Sequence, residues 1–417
     1  GFDSHHPLQF KMAAQILPLT LLACLAETLT MMGAFAFPAM LPGFIQQWGL
    51  THSEAGWITG LYFAGYVATV PLLMGFTDRV DARRIWLLGV GLTVVAWMGF
   101  ALFAEGFWSA LCFHVVGGAG LAGTYMPGLK MVLDRIGLSQ QGRVVAFYTA
   151  CFSLGTASSF LVAGWVEALY GWSYVFLIAA GSALLAGALV GVGVKPLKVE
   201  RERDSKPLRQ VLNFALVIQN RNAMGFIFAY GIHAWELFAM RTWLVAFLAF
   251  SLASNSVVSG SYLQPTEIAT ISAMIAMIAS IVGQELARVM GAKQMVTVTM
   301  LLSTLVASGL GFTASWPYLL VIVLVLLYSI MVQLDSSALT AAVVAAATPK
   351  TRGVTLAVHS MVGFVGGIFG PLAMGIVLDL SGDGEHLVSW GLAFASLGVV
   401  GLLGPAALHF LVDRRGG

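Results

Sequence analysis

Three ionisable residues share one otherwise apolar stretch, YGIHAWELFAMRTWLVAFL at Tyr230–Leu248: His233, Glu236 and Arg241. Arginine stays protonated, and its planar fork matches a carboxylate, sulfonate or phosphate. A carboxylate shut away from water and a histidine are the groups that exchange a proton near neutral pH. The residue types therefore suit anion recognition joined to proton transfer. Four more ionisable residues lie inside apolar runs: Glu27, His114, Asp335 and His359.

The elements that must hold these groups are apolar throughout. The chain has 417 residues, 59% hydrophobic and 10% charged, where a soluble domain carries roughly 25% charged residues. This composition describes an integral membrane protein. A charged side chain at bilayer depth costs at least ~2.5–3.5 kcal/mol, so such residues should face a bundle interior and one another. A crossing helix needs ~20 apolar residues. Twelve spans are expected, near 13–42, 55–76, 85–104, 107–132, 144–166, 173–193, 222–251, 265–284, 294–313, 316–346, 353–378 and 388–411. The runs are continuous, unlike the alternating strands of a barrel. The first run is too long for the h-region of a signal peptide. Cys24, Cys112 and Cys151 lie in apolar runs and are expected to be small packing residues.

Lysine and arginine set the orientation. An inner N-terminus puts 19 of the 21 Lys and Arg residues in inner segments and none in the opposite loops. Lys130 lies near the inner end of span 4 and can snorkel; Arg241 cannot be placed that way. The expected organisation is an N-terminal segment 1–12, a six-helix bundle 13–193, a charged linker 194–221, a second six-helix bundle 222–411 and a tail 412–417, with both termini cytoplasmic in the plasma (inner) membrane. An internal repeat supports the two halves. At an offset of 209, Glu27 falls on Glu236, Arg79 on Arg288 and Arg143 on Arg352; Glu54 meets Glu267 only at 213.

With these features the chain resembles the major facilitator superfamily. The stretch MGFTDRVDARR (74–84) between spans 2 and 3 is similar to that family's G-x-L-x-D-R-x-G-R-R motif through Asp78, Arg79 and Arg83, with Met74, Asp81 and Ala82 departing from it. Its counterpart GQELARVMGAK (283–293) keeps Gly283 and Arg288. In span 4, HVVGGAG (114–120) matches the family's glycines at Gly118 and Gly120, with His114 where an arginine is usual. Span 5 lacks the Gly-Pro element of the drug–proton antiporters; Gly370–Pro371 stands in span 11 instead. The resemblance implies two pseudo-symmetric six-helix bundles. It also implies a cavity lined by spans 1, 4, 7 and 10, which carry six of the seven buried ionisable residues, and an inner gate at Asp78, Arg79, Arg83 and Arg288.

At ~100° per residue, His233 and Glu236 lie ~60° apart, and Arg241 lies ~80° beyond His233 on the other side. The expected roles follow. Arg241, Glu236, His233, His114, Tyr62 and Tyr66 meet the substrate, while Glu27, Glu236 and Asp335 carry protons. A carboxylate is expected to pair with Arg241 and to release it on protonation. Trp235 and Trp243 are expected to pack. The function expected is secondary transport by alternating access: proton-coupled uptake of a small organic anion or, with three buried carboxylates, proton-coupled export of a cationic or zwitterionic compound. A membrane sensor is the reading from another class. No P-loop, metal-ligand spacing or nucleophile arrangement is present, so no enzymatic role, cofactor, metal or nucleic-acid partner is expected. A monomer in the bilayer is.

Overall fold

A computed structural model describes residues 6–137, 141–198, 214–255, 263–348 and 351–413. Most of the charged linker, the side chain of Arg143 and the C-terminal arginines lie outside the described residues. Among the described residues there are helices and no strands. The long helices are α1 (His6–Thr30), α2 (His52–Phe76), α3 (Ala82–Phe103), α4 (Phe107–Leu133), α5 (Gln141–Tyr170) and α6 (Trp172–Gly193), then α7 (Arg221–Ser254), α8 (Pro265–Met290), α9 (Ala292–Leu310), α10 (Tyr318–Leu334 and Ser336–Ala346), α11 (Arg352–Leu380) and α12 (Leu387–Gly401 and Leu403–Leu411). Eleven helices, α2 to α12, are long and apolar enough to cross a membrane, and α1 adds a shorter apolar stretch, Leu17–Gly33.

Local chemistry explains where helices start. Thr51 and Glu54 form a reciprocal cap on α2: the Glu54 N–H donates to Thr51 Oγ1 (3.1 Å) and the Thr51 N–H to Glu54 Oε2 (2.9 Å). Glu267 does the same for α8, accepting the Gln264 N–H at 2.9 Å. Glu54 and Glu267, which matched only at the shifted offset, are thus both helix caps. After Thr30, α1 breaks into a tight turn (Met31–Gly33) and two short helices, Ala36–Ala39 and Leu41–Trp48. Ser159 of α5 serves the break, accepting the Phe35 N–H at 3.0 Å and donating to the Met32 carbonyl at 2.7 Å. Irregular backbone at membrane depth needs such partners.

Within the first half, helices approach closely where glycine allows it. A side chain on Gly118 of α4 would collide with the Tyr62 carbonyl of α2. At the basic end, the end carrying Arg79 and Arg83, the α3 cap Asp81 is 6% exposed and holds three elements together. Its carboxylate accepts the Arg83 N–H (3.1 Å), the Leu197 N–H (2.7 Å) and the Arg135 guanidinium (2.9 and 3.0 Å). Burial alone would push the Asp81 carboxyl up, but the Leu197 and Arg83 amides and the Arg135 charge outweigh it and hold it below the usual carboxylate range.

The two halves, α1–α6 and α7–α12, meet at the opposite end. There α2 runs against α11 backbone to backbone. A Cβ on Gly56 would sit 2.7 Å from the Pro371 carbonyl and 2.8 Å from Leu372 Cα, and one on Gly60 would strike the Ile368 carbonyl. Across the second seam, Gly164 of α5 faces Thr266 of α8. Asp379, in the last turn of α11, caps α2 from the other half. Its Oδ1 accepts the His52 N–H at 2.8 Å and lies 2.9 Å from His52 Nδ1. Its Oδ2 accepts the Ser53 N–H at 2.8 Å and also the Ser53 hydroxyl. A carboxylate at a helix N-terminus satisfies free N–H groups and the helix dipole together. No hydrogen bond or ion pair joins the halves at the basic end among the described residues.

Two outcomes follow from these contacts. Gly56→Val should strain only the state in which this seam is shut, by about 1–3 kcal/mol, shifting the conformational equilibrium roughly 5–150-fold. Distances between spin labels placed on the two halves at that end should lengthen, and an unchanged distance distribution would contradict the seam. Asp81→Asn should cost about 1.5–3 kcal/mol. Because the folded pKa of Asp81 is lowered, its contribution is complete above the unfolded value of about 3.9 and is lost as pH falls through the folded value. The gap in melting temperature between wild type and Asp81→Asn should therefore be wide at pH 7 and close below pH about 4.

Candidate functional site

Helix α7 carries His233, Glu236 and Arg241 to different partners. Glu236 points away from the partner half, into its own bundle. Tyr328 Oη of α10 donates to Glu236 Oε1 at 2.9 Å, and Ser303 Oγ of α9 to Oε2 at 3.2 Å. His233 meets Asp335, with Nδ1 and Oδ1 2.7 Å apart and side chains 2% and 4% exposed. Asp335 occupies the interruption of α10, between Leu334 and Ser336. Tyr230 stacks between His233 (5.6 Å) and His359 (3.8 Å), and His359 Nε2 lies 3.2 Å from Thr340 Oγ1.

Arg241 is 4% exposed and has a different environment. Its Nη2 reaches Gln333 Oε1 of α10 at 3.4 Å, and its guanidinium carbon lies 5.9 Å from the ring centroid of Phe35, at the break of α1 in the other half. No carboxylate lies within ion-pair distance of Arg241 among the described residues. The expected pairing of Arg241 with Glu236 or Glu27 does not form. Five helical positions separate Glu236 from Arg241, or ~140° of rotation, so the two side chains leave α7 on different faces.

Glu27, the repeat partner of Glu236, is likewise enclosed in its own half. Tyr148 Oη of α5 donates to Glu27 Oε2 at 3.0 Å and lies 3.2 Å from the Thr124 carbonyl of α4. Glu27 Oε1 is buried with no hydrogen-bond partner among the described residues. Each half thus holds one glutamate on its first helix, bonded by a tyrosine. The tyrosines come from non-equivalent helices, α5 and α10.

The remaining expected residues fall into two groups. His114 is 1% exposed, with Nδ1 2.9 Å from the Ala110 carbonyl, ringed by Phe37, Phe100, Trp97 and Tyr62 at 5.2–6.3 Å. Tyr62 stacks on Trp97 at 6.0 Å, within the first half. Tyr66 lies at the seam, its ring 4.1 Å from Phe364 of α11. Trp243 donates Nε1–H to the Pro371 carbonyl at 3.0 Å, binding α7 to α11. At the basic end, Asp78 and Arg79 are exposed. Arg83 Nη2 donates to the Gly191 carbonyl of α6 at 2.6 Å, and Arg288 pairs with its neighbour Glu285 at 2.8 Å. None of these four bridges the halves here. The carboxylate that pairs with an arginine in this loop is Asp81, a departure from the family motif. Lys130 pairs with Asp134 at 3.0 Å.

Sequence reasoning missed Tyr148, Tyr328, Ser303, Gln333 and Asp379. A signal for Asp379 existed: the loops at its end of the molecule contain no Lys or Arg, so a helix N-terminus was the positive group left to meet it.

The major facilitator superfamily model matches residues 23–266 and 258–417. The methylenomycin A resistance protein of Streptomyces coelicolor is 24% identical over 410 residues, covering 87% of this chain and 86% of that protein. Monocarboxylate transporter 4 of Gallus gallus is 29% identical over 203 residues, 44% of this chain and 41% of that protein. Among solved structures, a bacterial homologue of the human lysosomal transporter Spinster, in an inward-facing unoccupied conformation, superposes with a TM-score of 0.77 at 15% identity, covering 94% of this chain and 96% of that chain. The helical halves, the matched length and these relatives agree: the chain belongs to the major facilitator superfamily and is a transporter rather than an enzyme.

Proposed function

We propose that the protein takes up a small organic anion by proton-coupled alternating access, with Arg241 as the anchor. One observation carries this reading. Glu27 and Glu236 have tyrosine partners and Asp335 has His233, whereas among the described residues buried Arg241 faces an amide and an aromatic ring and no carboxylate. A guanidinium at membrane depth needs a counter-charge, and a solute carboxylate supplies one in bidentate geometry. The partial relative named for monocarboxylates is in keeping with that guest. With the basic end cytoplasmic, the seams close the outer side and the halves face inward.

Proton coupling is assigned first to Asp335 with His233, the buried acid–base pair nearest the anchor along α10. Glu236 and Glu27 are the further carriers. The inner gate is assigned to Asp78, Arg79, Arg83 and Arg288, which make no cross-half hydrogen bond or ion pair among the described residues and come together when the inner side shuts. A second reading, proton-coupled export of a cationic or zwitterionic compound, is favoured by the near full-length likeness to a resistance protein. The pH gradient separates the two: an inward gradient drives uptake in the first, and extrusion in the second.

Two measurements test the assignment. Monocarboxylates should raise the melting temperature of the purified wild type, because a ligand of the folded state stabilises it. In Arg241→Gln their apparent affinity should fall at least tenfold, about 1.4 kcal/mol, with the ligand-free melting curve retained. Undiminished binding would remove Arg241 as anchor. In liposomes, Asp335→Asn should lose accumulation driven by a pH gradient while keeping solute exchange; gradient-driven accumulation in that variant would move the coupling site elsewhere.

A further inference from the structure

A cluster of metal-ligating side chains lies outside the site above, at the closed end of the molecule. His52 begins α2 in one half; Asp379 ends α11 in the other, and Asp383 follows in the turn to α12. Each offers one ligand atom, and the three atoms lie within 4.8 Å of one another. The turn is built to bring Asp383 back over Asp379: Gly382, Asp383 and Gly384 are all left-handed, with φ of 112°, 53° and 66°. A left-handed non-glycine residue is uncommon, and such conformations concentrate at functional positions.

The charge balance at this end calls for a cation. Asp379 is matched by the N-terminus of α2. Exposed Asp383 has no hydrogen-bond or ion-pair partner among the described residues, and no Lys or Arg occurs in any loop on this face. His52 Nδ1 and Asp379 Oδ1 lie 2.9 Å apart, and a small widening brings them to the spacing of two tetrahedral ligands on one ion at bond lengths of about 2.0–2.1 Å. An ion placed there replaces the proton the two atoms now share.

We infer that His52, Asp379 and Asp383 form a binding site for a divalent transition-metal cation of the zinc type, reached from the face opposite the basic one. One imidazole nitrogen and two carboxylates suit Zn2+, Co2+ or Ni2+ better than Ca2+, which takes six to eight oxygens. Because the ligands come from both halves, the complete set exists only while this end is shut. A bound ion therefore holds the protein in the conformation described here and stops the transport cycle. This inference rests on the ligand geometry and is independent of the solute carried.

The test uses Zn2+ on the purified full-length protein. Asp383→Asn is the variant, because asparagine tolerates the left-handed backbone while the charge is removed. Zn2+ should raise the wild-type melting temperature by several degrees, reversibly with EDTA, and shorten spin-label distances across the closed end. The variant should melt with wild type in the absence of metal and show neither response. No Zn2+ response in wild type, an equal response in Asp383→Asn, or an equal response to Ca2+, which removes His52 from the ligand set, overturns the assignment.

Discussion

Hydrocarbon cannot solvate an ion, so each buried charge in this protein must find its counterpart within the helices. The rest of the site follows from how that requirement is met. A carboxylate needs donors, and the bundle supplies them as hydroxyls: Tyr148 for Glu27, Tyr328 and Ser303 for Glu236. Asp335 has the imidazole of His233. A guanidinium needs acceptors and negative charge, and Arg241 is given one long amide contact and the face of Phe35. On the proposed reading, its environment is half of a binding site, and a solute anion is the other half.

The same constraint shapes the closed end. With lipid on the outside and no Lys or Arg in the loops on that face, the one ion-pair contact between the halves there among the described residues is His52 with Asp379. Most of the joint is close backbone packing. Gly56 and Gly60 let α2 lie directly on α11, and the Asp379 carboxylate uses the free N–H groups of α2 as its cation. Such a seam opens as a unit, because a Cα path that fits its neighbour at one turn fits it only while the neighbouring turns are aligned. Packed interfaces of this kind have discrete arrangements rather than a continuum. Alternating access needs that property.

Much of this was legible in the sequence, for physical reasons. Continuous apolar runs and the one-sided placement of Lys and Arg are imposed by the bilayer, and the long helices follow those runs, except that the span expected at 13–42 breaks after Thr30. The span expected at 265–284 continues to Met290, since a helix need not stop where apolarity does. The ionisable residues of spans 1, 7 and 10 were visible because charge is rare in such segments. Their pairing was not. A helical wheel gives directions about one axis, and the choice between Gln333 and Glu236 as the neighbour of Arg241 depends on how α10 is rotated and where it breaks. The tyrosine donors escaped notice because tyrosine is ordinary in a membrane helix. His114 was legible as a residue and not as an environment; only the packed aromatic rings show how enclosed it is.

The break in α10 joins the two chemistries of the site. Gln333 and Asp335 flank Leu334 at the interruption; the first contacts Arg241 and the second His233. Both contacts therefore cross from α10 to α7 within one turn, on a segment whose regular hydrogen bonding is already interrupted. On the proposed reading, an anion at Arg241 displaces the amide of Gln333, and a proton at Asp335 alters its contact with His233. Each event acts on the same few residues of α10, so each changes the cost of the other. Such coupling is reciprocal by thermodynamic necessity. On that reading, the interruption at Asp335 is where solute binding and proton binding meet in the fold.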